Sequence, residues 1–223
     1  VLITDPLSKT GLAILKETPG IEIDDRGGQK MSPEQLREAV ALVCEAWLGP
    51  AYQVTSQINV VNPGGVAQSP HRDYHLGFMS DEAAAAFPVH THLLSPLLTL
   101  QGAVAHCDMP VESGPTKVLP HSHKYPPGYV VWKQPAVIEL FEARHVQLPL
   151  GSGDAVFFCP AVFHAAGSNH TTDVKRMANL LQVSSAFGRT MESIDRARMT
   201  RAIYPVLQQR RALGSRRRIG RGR

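Results

Sequence analysis

From Tyr52 onward the chain is divided into many short runs typical of β-strands, and this pattern restricts the fold more than any other feature. Candidate strands lie at residues 53–61, 97–105, 116–119, 137–141, 145–148, 155–158 and 177–184. Turn signals separate them, among them Asn62-Pro-Gly-Gly and Gly151-Ser-Gly-Asp. Many short strands with frequent turns favour a β-sandwich or a jelly-roll barrel. We therefore predict a mainly β fold with flanking helices.

The two ends of the chain differ from this β-rich middle. Residues 1–50 form an atypical α/β segment, in which Ser32 as N-cap, Pro33 at the first helical position and Gln35 closing a capping box predict a helix. Residues 51–189 form the predicted core, followed by a C-terminal helix at 190–209 that Pro205 interrupts. Residues 210–223 are an arginine-rich tail that we expect to be disordered.

Charge and cysteine content exclude several classes of function. Seven of the 23 basic residues lie within 210–223, which contains no acid, so the rest of the chain has 16 basic against 19 acidic side chains. We therefore expect no nucleic-acid partner. Three widely spaced cysteines, no leader-like start and no apolar run of membrane-spanning length predict a cytoplasmic protein without a membrane span. Oligomeric state is not predicted.

Ten histidines make metal ligation a possibility to test. Three pairs have the spacing H-x-[H/D], and in a strand residues i and i+2 point to the same face. These pairs are His71 with Asp73, His90 with His92, and His121 with His123. For any single pair, surface or core histidines are the commoner explanation. We expect His90 and His92 at the surface of a loop, and a structural or supporting role for His121 and His123.

One pair is distinguished by a third histidine far downstream. His71 and Asp73 offer one imidazole and one carboxylate, and His164 follows a further strand-like run. Two imidazoles and one carboxylate form the facial triad of non-haem Fe(II) oxygenases, which leaves coordination positions open for cosubstrate and dioxygen. A closed four-ligand zinc site would serve structure only. The pattern therefore favours a catalytic iron site.

A basic pair stands near this third histidine. Lys175 and Arg176 lie at the entry to the strand predicted over 177–184. A cation there pairs with the distal carboxylate of a 2-oxo acid, Arg bidentately and Lys as a point charge. Strand alternation lets only one of the two face inward. We favour Arg176 for its bidentate fit to a carboxylate and keep Lys175 as the competitor.

Four segments now make the chain recognisable. They are NVVNPGGVAQSPHRDYHLGF (59–78), CDMPVESGPTKVLPHSHK (107–124), GDAVFFCPAVFHAAGSN (153–169) and KRMANLLQVS (175–184). In this order they resemble the phytanoyl-CoA dioxygenase family of Fe(II)/2-oxoglutarate-dependent oxygenases. The resemblance implies a double-stranded β-helix (jelly roll, cupin-like) over residues 51–189.

The resemblance also implies roles for individual residues. His71, Asp73 and His164 bind Fe(II), and Arg176 or Lys175 anchors 2-oxoglutarate. Gln57 and Asn59, on the strand before the metal-binding loop, are candidates for contacts to the cosubstrate, with ordinary polar positions of a sheet strand as the alternative. Because Asp73 provides a carboxylate ligand beside the two histidines, the implied reaction is hydroxylation of a C–H bond of a small organic substrate. In it O2 is consumed and 2-oxoglutarate is released as succinate and CO2.

Some alternatives stay open at this point. A non-catalytic jelly-roll binding protein, or a cupin-type metalloenzyme of another reaction class, would also fit the β pattern. Residues 1–40 resemble the start of D-3-phosphoglycerate dehydrogenase, in VLITDPLSKTGLAILKETPGIEID and SPEQLREAV, but carry no glycine-rich fingerprint, so we infer no NAD binding. No segment identifies the substrate.

Overall fold

The computed structural model describes residues 2–3, 16–17, 24–25, 32–188 and 195–212. The chain divides into two compact units, Val1–Thr190 and Met191–Arg223, and each is described by itself. The strands, in chain order, are β1 (Leu2–Ile3), β2 (Asp24–Asp25), β3 (Gln53–Val61), β4 (Thr99–Ala105), β5 (Thr116–Val118), β6 (Val146–Gln147), β7 (Ala155–Phe158), β8 (His164–Ala166) and β9 (Arg176–Ser184). The helices are α1 (Pro33–Leu48), α2 (Asp81–Ala85), α3 (Val89–Leu94), α4 (Gly128–Val131), α5 (Pro135–Arg144) and α6 (Arg196–Ala212).

Two antiparallel sheets build the first unit. The larger has the strand order β3–β9–β4–β7, and the smaller has the order β6–β5–β8. A bridge between His71 and His164 extends the smaller sheet beyond β8, and β1 pairs with β2 in a separate parallel ribbon. Two facing antiparallel sheets of short strands are the architecture of a jelly roll, which confirms the predicted fold class.

Helix α1 begins and ends as its sequence predicts. The Ser32 side chain accepts a hydrogen bond from the Gln35 amide, and the Gln35 side chain accepts one from the Ser32 amide. Gly49, at φ 74°, ends the helix with its amide donating to the Glu45 carbonyl. Cys44 packs with Leu100 and Val183 of the larger sheet, so α1 covers one face of that sheet.

The opposite face of the larger sheet points to the smaller one. Gln101 of β4 lies directly across from Gln182 of β9, and its side chain reaches Asp73. Phe158 of β7 lies with its ring 4.8 Å from that of His164 in β8. Because side chains alternate along a strand, every second residue of β4 and β9 from these positions faces the space between the sheets. We call this side of the larger sheet, which faces the smaller sheet, the inner face.

One predicted strand is wrong. Residues 137–141 belong to helix α5, which has Pro135 in its first turn. Val137 and Phe141 pack in one cluster with Leu119 and Phe163, and their spacing of four residues suits one face of a helix. A proline at the first helical position favours this outcome, because its fixed φ suits a helix and its missing N–H is not needed there.

Further differences concern segments outside the strands. The segment expected to be a loop after Asp73 contains α2 and α3. In the second unit, α6 passes through Pro205 and ends at Ala212. The remainder of the predicted tail, 213–223, and most of residues 1–31 lie outside the described residues. Within the part of the chain that is described, no helix is long and apolar enough to cross a lipid bilayer.

Candidate metal centre

The backbone brings His71 and His164 side by side. The amide of His71 donates to the carbonyl of His164 at 3.0 Å, and the reverse hydrogen bond measures 3.1 Å. The two ring centroids lie 4.5 Å apart. This bridge is the tertiary contact that joins the two histidines, although 93 positions separate their numbers in the chain.

Both imidazoles are oriented by the same kind of hydrogen bond. Nδ1 of His71 lies 2.8 Å from the carbonyl oxygen of Ser69, and Nδ1 of His164 lies 2.9 Å from that of Val162. A carbonyl only accepts, so Nδ1 carries a proton in each ring, and Nε2 is the nitrogen available to a metal. Metal-binding histidines are commonly oriented in this way.

Asp73 completes a group of three possible ligands. Its Oδ2 lies 3.3 Å from Nε2 of His164, and its Oδ1 lies 3.7 Å from Nε2 of His71. One donor atom from each residue lies within 4.8 Å of the other two. The donor set, two imidazole nitrogens and a carboxylate oxygen that converge on one point, fits a facial triad for a divalent metal. Among the described residues no other cluster of three His, Cys, Asp or Glu has this geometry.

The charge states of these side chains also suit a metal. Burial lowers the pKa of His71, and the neighbouring His164 lowers it further. Burial by itself would raise the pKa of Asp73, but the hydrogen bond and charge of His164, with help from His71 and Gln101, lower it overall. His71 is therefore neutral and Asp73 ionised at neutral pH, as metal ligands must be.

A residue outside the sequence motif contacts this group. Gln101 is 4% exposed on the inner face of β4, and its Nε2 donates a hydrogen bond to Oδ2 of Asp73. Its Oε1 is buried without a hydrogen-bond partner in the described part of the chain. A single glutamine in a buried strand carries no motif, so sequence reasoning missed it.

The two basic residues at the start of β9 differ in burial and in the face of the sheet on which they lie. Arg176 is 7% exposed, whereas Lys175 is exposed. Arg176 is an even number of positions from Gln182, so it lies on the inner face and Lys175 on the other. Within the described ranges, the Arg176 side chain makes no hydrogen bond or ion pair with the protein. A buried cation without a protein partner is suited to bind an anion.

Gln57 and Asn59 lie on the neighbouring edge strand. In the β3–β9 register, Gln57 is opposite Leu180 and Asn59 is opposite Ala178, so both share the inner face with Arg176. Both side chains are exposed. They therefore border the space between the sheets at its open side.

The other histidine pairs lie elsewhere. His90 is exposed, but the expectation that His92 lies at the surface is wrong, because its Nε2 is 3.0 Å from the Ala84 carbonyl and its side chain is buried. Both belong to α3, where residues two apart do not share a face. His121 and His123 are exposed and do not approach the three candidate ligands.

Solved structures with a similar fold were found at low sequence identity. The chain is 17% identical to EvdMO1 over 70% of this chain and 32% of that one, with a TM-score of 0.50. A second similar structure is SnoN, described as a non-heme alpha-ketoglutarate-dependent epimerase from nogalamycin biosynthesis. The two chains are 21% identical over 68% of this chain and 54% of SnoN, with a TM-score of 0.44. AviO1 from Streptomyces viridochromogenes Tue57 is 16% identical over 82% of this chain and 88% of AviO1, with a TM-score of 0.49.

The chain thus spans about a third of EvdMO1 and about half of SnoN. No curated protein matches it. Residues 22–178, more than half of the chain, match the sequence model of the phytanoyl-CoA dioxygenase family (PhyH). The matched region contains the smaller sheet, three strands of the larger sheet with the start of β9, the three converging ligands and Arg176. The chain therefore belongs to the phytanoyl-CoA dioxygenase family.

Proposed function

We propose that this protein hydroxylates a C–H bond of a small organic substrate, with His71, Asp73 and His164 as the ligands of Fe(II). The observation that carries the proposal is the convergence of three donor atoms within 4.8 Å, from two imidazoles that are both oriented through Nδ1 and from one carboxylate. One oxygen atom of O2 enters the substrate as a hydroxyl group. The other enters 2-oxoglutarate, which leaves as succinate and CO2.

The ligand set determines what the protein contributes. Three protein ligands on one side of a six-coordinate ion leave three positions for other molecules. When bound, the iron supplies the oxidative chemistry. The protein holds the ligands at fixed positions, and Gln101 supports the carboxylate of Asp73.

Arg176 is the proposed anchor of the cosubstrate. Its guanidinium is buried on the inner face without a carboxylate partner among the described residues, and a bidentate contact to the distal carboxylate of 2-oxoglutarate would satisfy it. Lys175, the competitor, is exposed on the other face. We propose supporting polar contacts for Gln57 and Asn59, because they share the inner face with Arg176.

The test is an anaerobic titration of the purified protein with Fe(II) and 2-oxoglutarate. We expect a visible metal-to-ligand charge-transfer band in the wild type, its loss in His71→Ala, and a weaker band in Arg176→Ala that more 2-oxoglutarate restores. His90→Ala is the matched control, since this exposed histidine lies outside the ligand group. A folded wild-type protein without a band would refute the proposal. An equal effect of Lys175→Ala would refute the assignment of Arg176.

A further inference from the structure

The residue between two of the proposed ligands is a deeply buried arginine. Arg72 is 2% exposed, and no carboxylate pairs with it among the described residues. An arginine side chain is a cation at neutral pH. Burying a charge is costly unless other groups compensate for the lost water. The contacts of Arg72 provide part of that compensation, and its Nε is buried without a hydrogen-bond partner among the described residues.

These contacts come from one segment and two aromatic rings. Nη2 of Arg72 donates to the carbonyl of Ser122 at 2.5 Å and to that of Tyr125 at 2.9 Å. The guanidinium carbon lies 4.9 Å from the ring centroid of Tyr129 and 4.7 Å from that of Phe163, within cation–π range. The guanidinium thus holds residues 122–129, which belong to the segment 119–129, against the stretch of chain that carries His71 and Asp73.

The same segment also holds the third ligand. The Ser122 hydroxyl accepts a hydrogen bond at 2.7 Å from the amide of Phe163, the residue before His164. The amide of Leu119 donates to the Phe163 carbonyl at 2.8 Å. The turn at Ser122 is therefore bonded to both ligand-bearing stretches, to one through Arg72 and to the other through Phe163.

The guanidinium of Arg72 packs so closely against Gly128 that no side chain fits at that position. A Cβ atom added at Gly128 would overlap Cζ and both terminal nitrogens of Arg72. The fit requires glycine at this position, so the contact can be disturbed from either partner.

We propose that Arg72 is a positioning residue that couples the segment 119–129 to the metal ligands and sets their spacing before the metal binds. The inference rests on the proposed metal site. It assigns Arg72 no contact with metal, cosubstrate or substrate. Its consequence is reciprocal, because two sites coupled through one contact must stabilise each other equally. Metal binding at the ligands should therefore stabilise the segment 119–129.

The first test uses the wild-type protein and Mn(II) alone, with binding followed by electron paramagnetic resonance of the free ion. We expect bound Mn(II) to slow amide hydrogen exchange in peptides covering 119–129, and to leave those of α1 unchanged, since α1 packs on the opposite face of the larger sheet. If Mn(II) binds and protects 69–73 and 162–166 but not 119–129, the coupling does not exist. If folded wild-type protein binds no Mn(II), the proposed metal site fails and the inference fails with it.

The second test uses variants. Arg72→Met keeps much of the side-chain volume but removes the charge and both hydrogen bonds, and we expect an about 10- to 100-fold weaker Mn(II) affinity, the usual range for outer-sphere partners. Arg72→Lys should restore part of this loss, Gly128→Ala should act in the same direction as Arg72→Met, and exposed Arg144→Met should have no effect. A folded Arg72→Met protein with wild-type Mn(II) affinity would overturn the proposal. If that variant does not fold, the exchange experiment decides.

Discussion

Replacing Gln101 with leucine should weaken metal binding without weakening the fold. Gln101 Nε2 donates to Oδ2 of Asp73, so Gln101→Leu leaves that carboxylate oxygen without its donor. The same change removes Oε1, which is buried without a partner in the described part of the chain. The two effects on the stability of the metal-free protein oppose each other, so its free energy of unfolding should change by no more than about 1 kcal/mol.

The expected loss of metal affinity follows from the kind of hydrogen bond that is removed. A hydrogen bond to a charged group contributes roughly 1.5–3 kcal/mol. At about 1.4 kcal/mol for each factor of ten in an equilibrium constant, this corresponds to an about 10- to 100-fold weaker affinity. Asp73 is largely buried, with a side-chain exposure of 17%, so solvent screening reduces the effect only slightly.

Gln182 provides a matched control for this substitution. It lies directly across from Gln101 on β9, and its Oε1 is also buried without a partner in the described structure, but its side chain makes no hydrogen bond to the three ligands. Mn(II) titration and urea unfolding of Gln101→Leu and Gln182→Leu would separate the two effects. Equal Mn(II) affinities in the two variants would refute the reasoning, as would a loss of affinity in Gln101→Leu that only matches a loss of stability.

Three further predictions test the fold and the site. Phe141→Ala should lower the free energy of unfolding by about 3–5 kcal/mol in urea titration, because the fully buried ring fills the core beside Leu119 and Phe163, and a loss below about 1 kcal/mol would contradict this packing. Gly114→Ala should lower the melting temperature, since Gly114 has φ 75° and an added Cβ would meet the carbonyls of Gly167 and Ser168; an unchanged melting temperature would argue against this turn. Mn(II) at 100 times its dissociation constant should stabilise the wild type by about 2.7 kcal/mol, and EDTA should reverse the effect. His164→Ala should show no such stabilisation, and an equal thermal shift in this variant would place the metal elsewhere.

Local sequence signals predicted several elements well. Strands β3 and β7 lie at the predicted bounds, and the capping box of α1 forms as Ser32 and Gln35 indicate. Such elements are determined by neighbouring residues, through alternation in a strand or hydrogen bonds at a helix end. The five residues 137–141 were too short a run for periodicity to separate strand from helix, and packing of Phe141 against the core favoured the helix.

The sequence by itself determined the fold class and the chemistry of the candidate ligands, because residue types, their spacing and their order along the chain are sufficient for both. Tertiary structure alone decided which side chains support that chemistry. Gln101 reaches Asp73 across 28 positions, and Arg72 reaches the carbonyls of Ser122 and Tyr125 across 50 and 53. Arg176 differs from Lys175 in burial because the register of β9 turns one inward and the other outward. These contacts depend on how sheets and loops pack together, and local sequence carries no record of that packing.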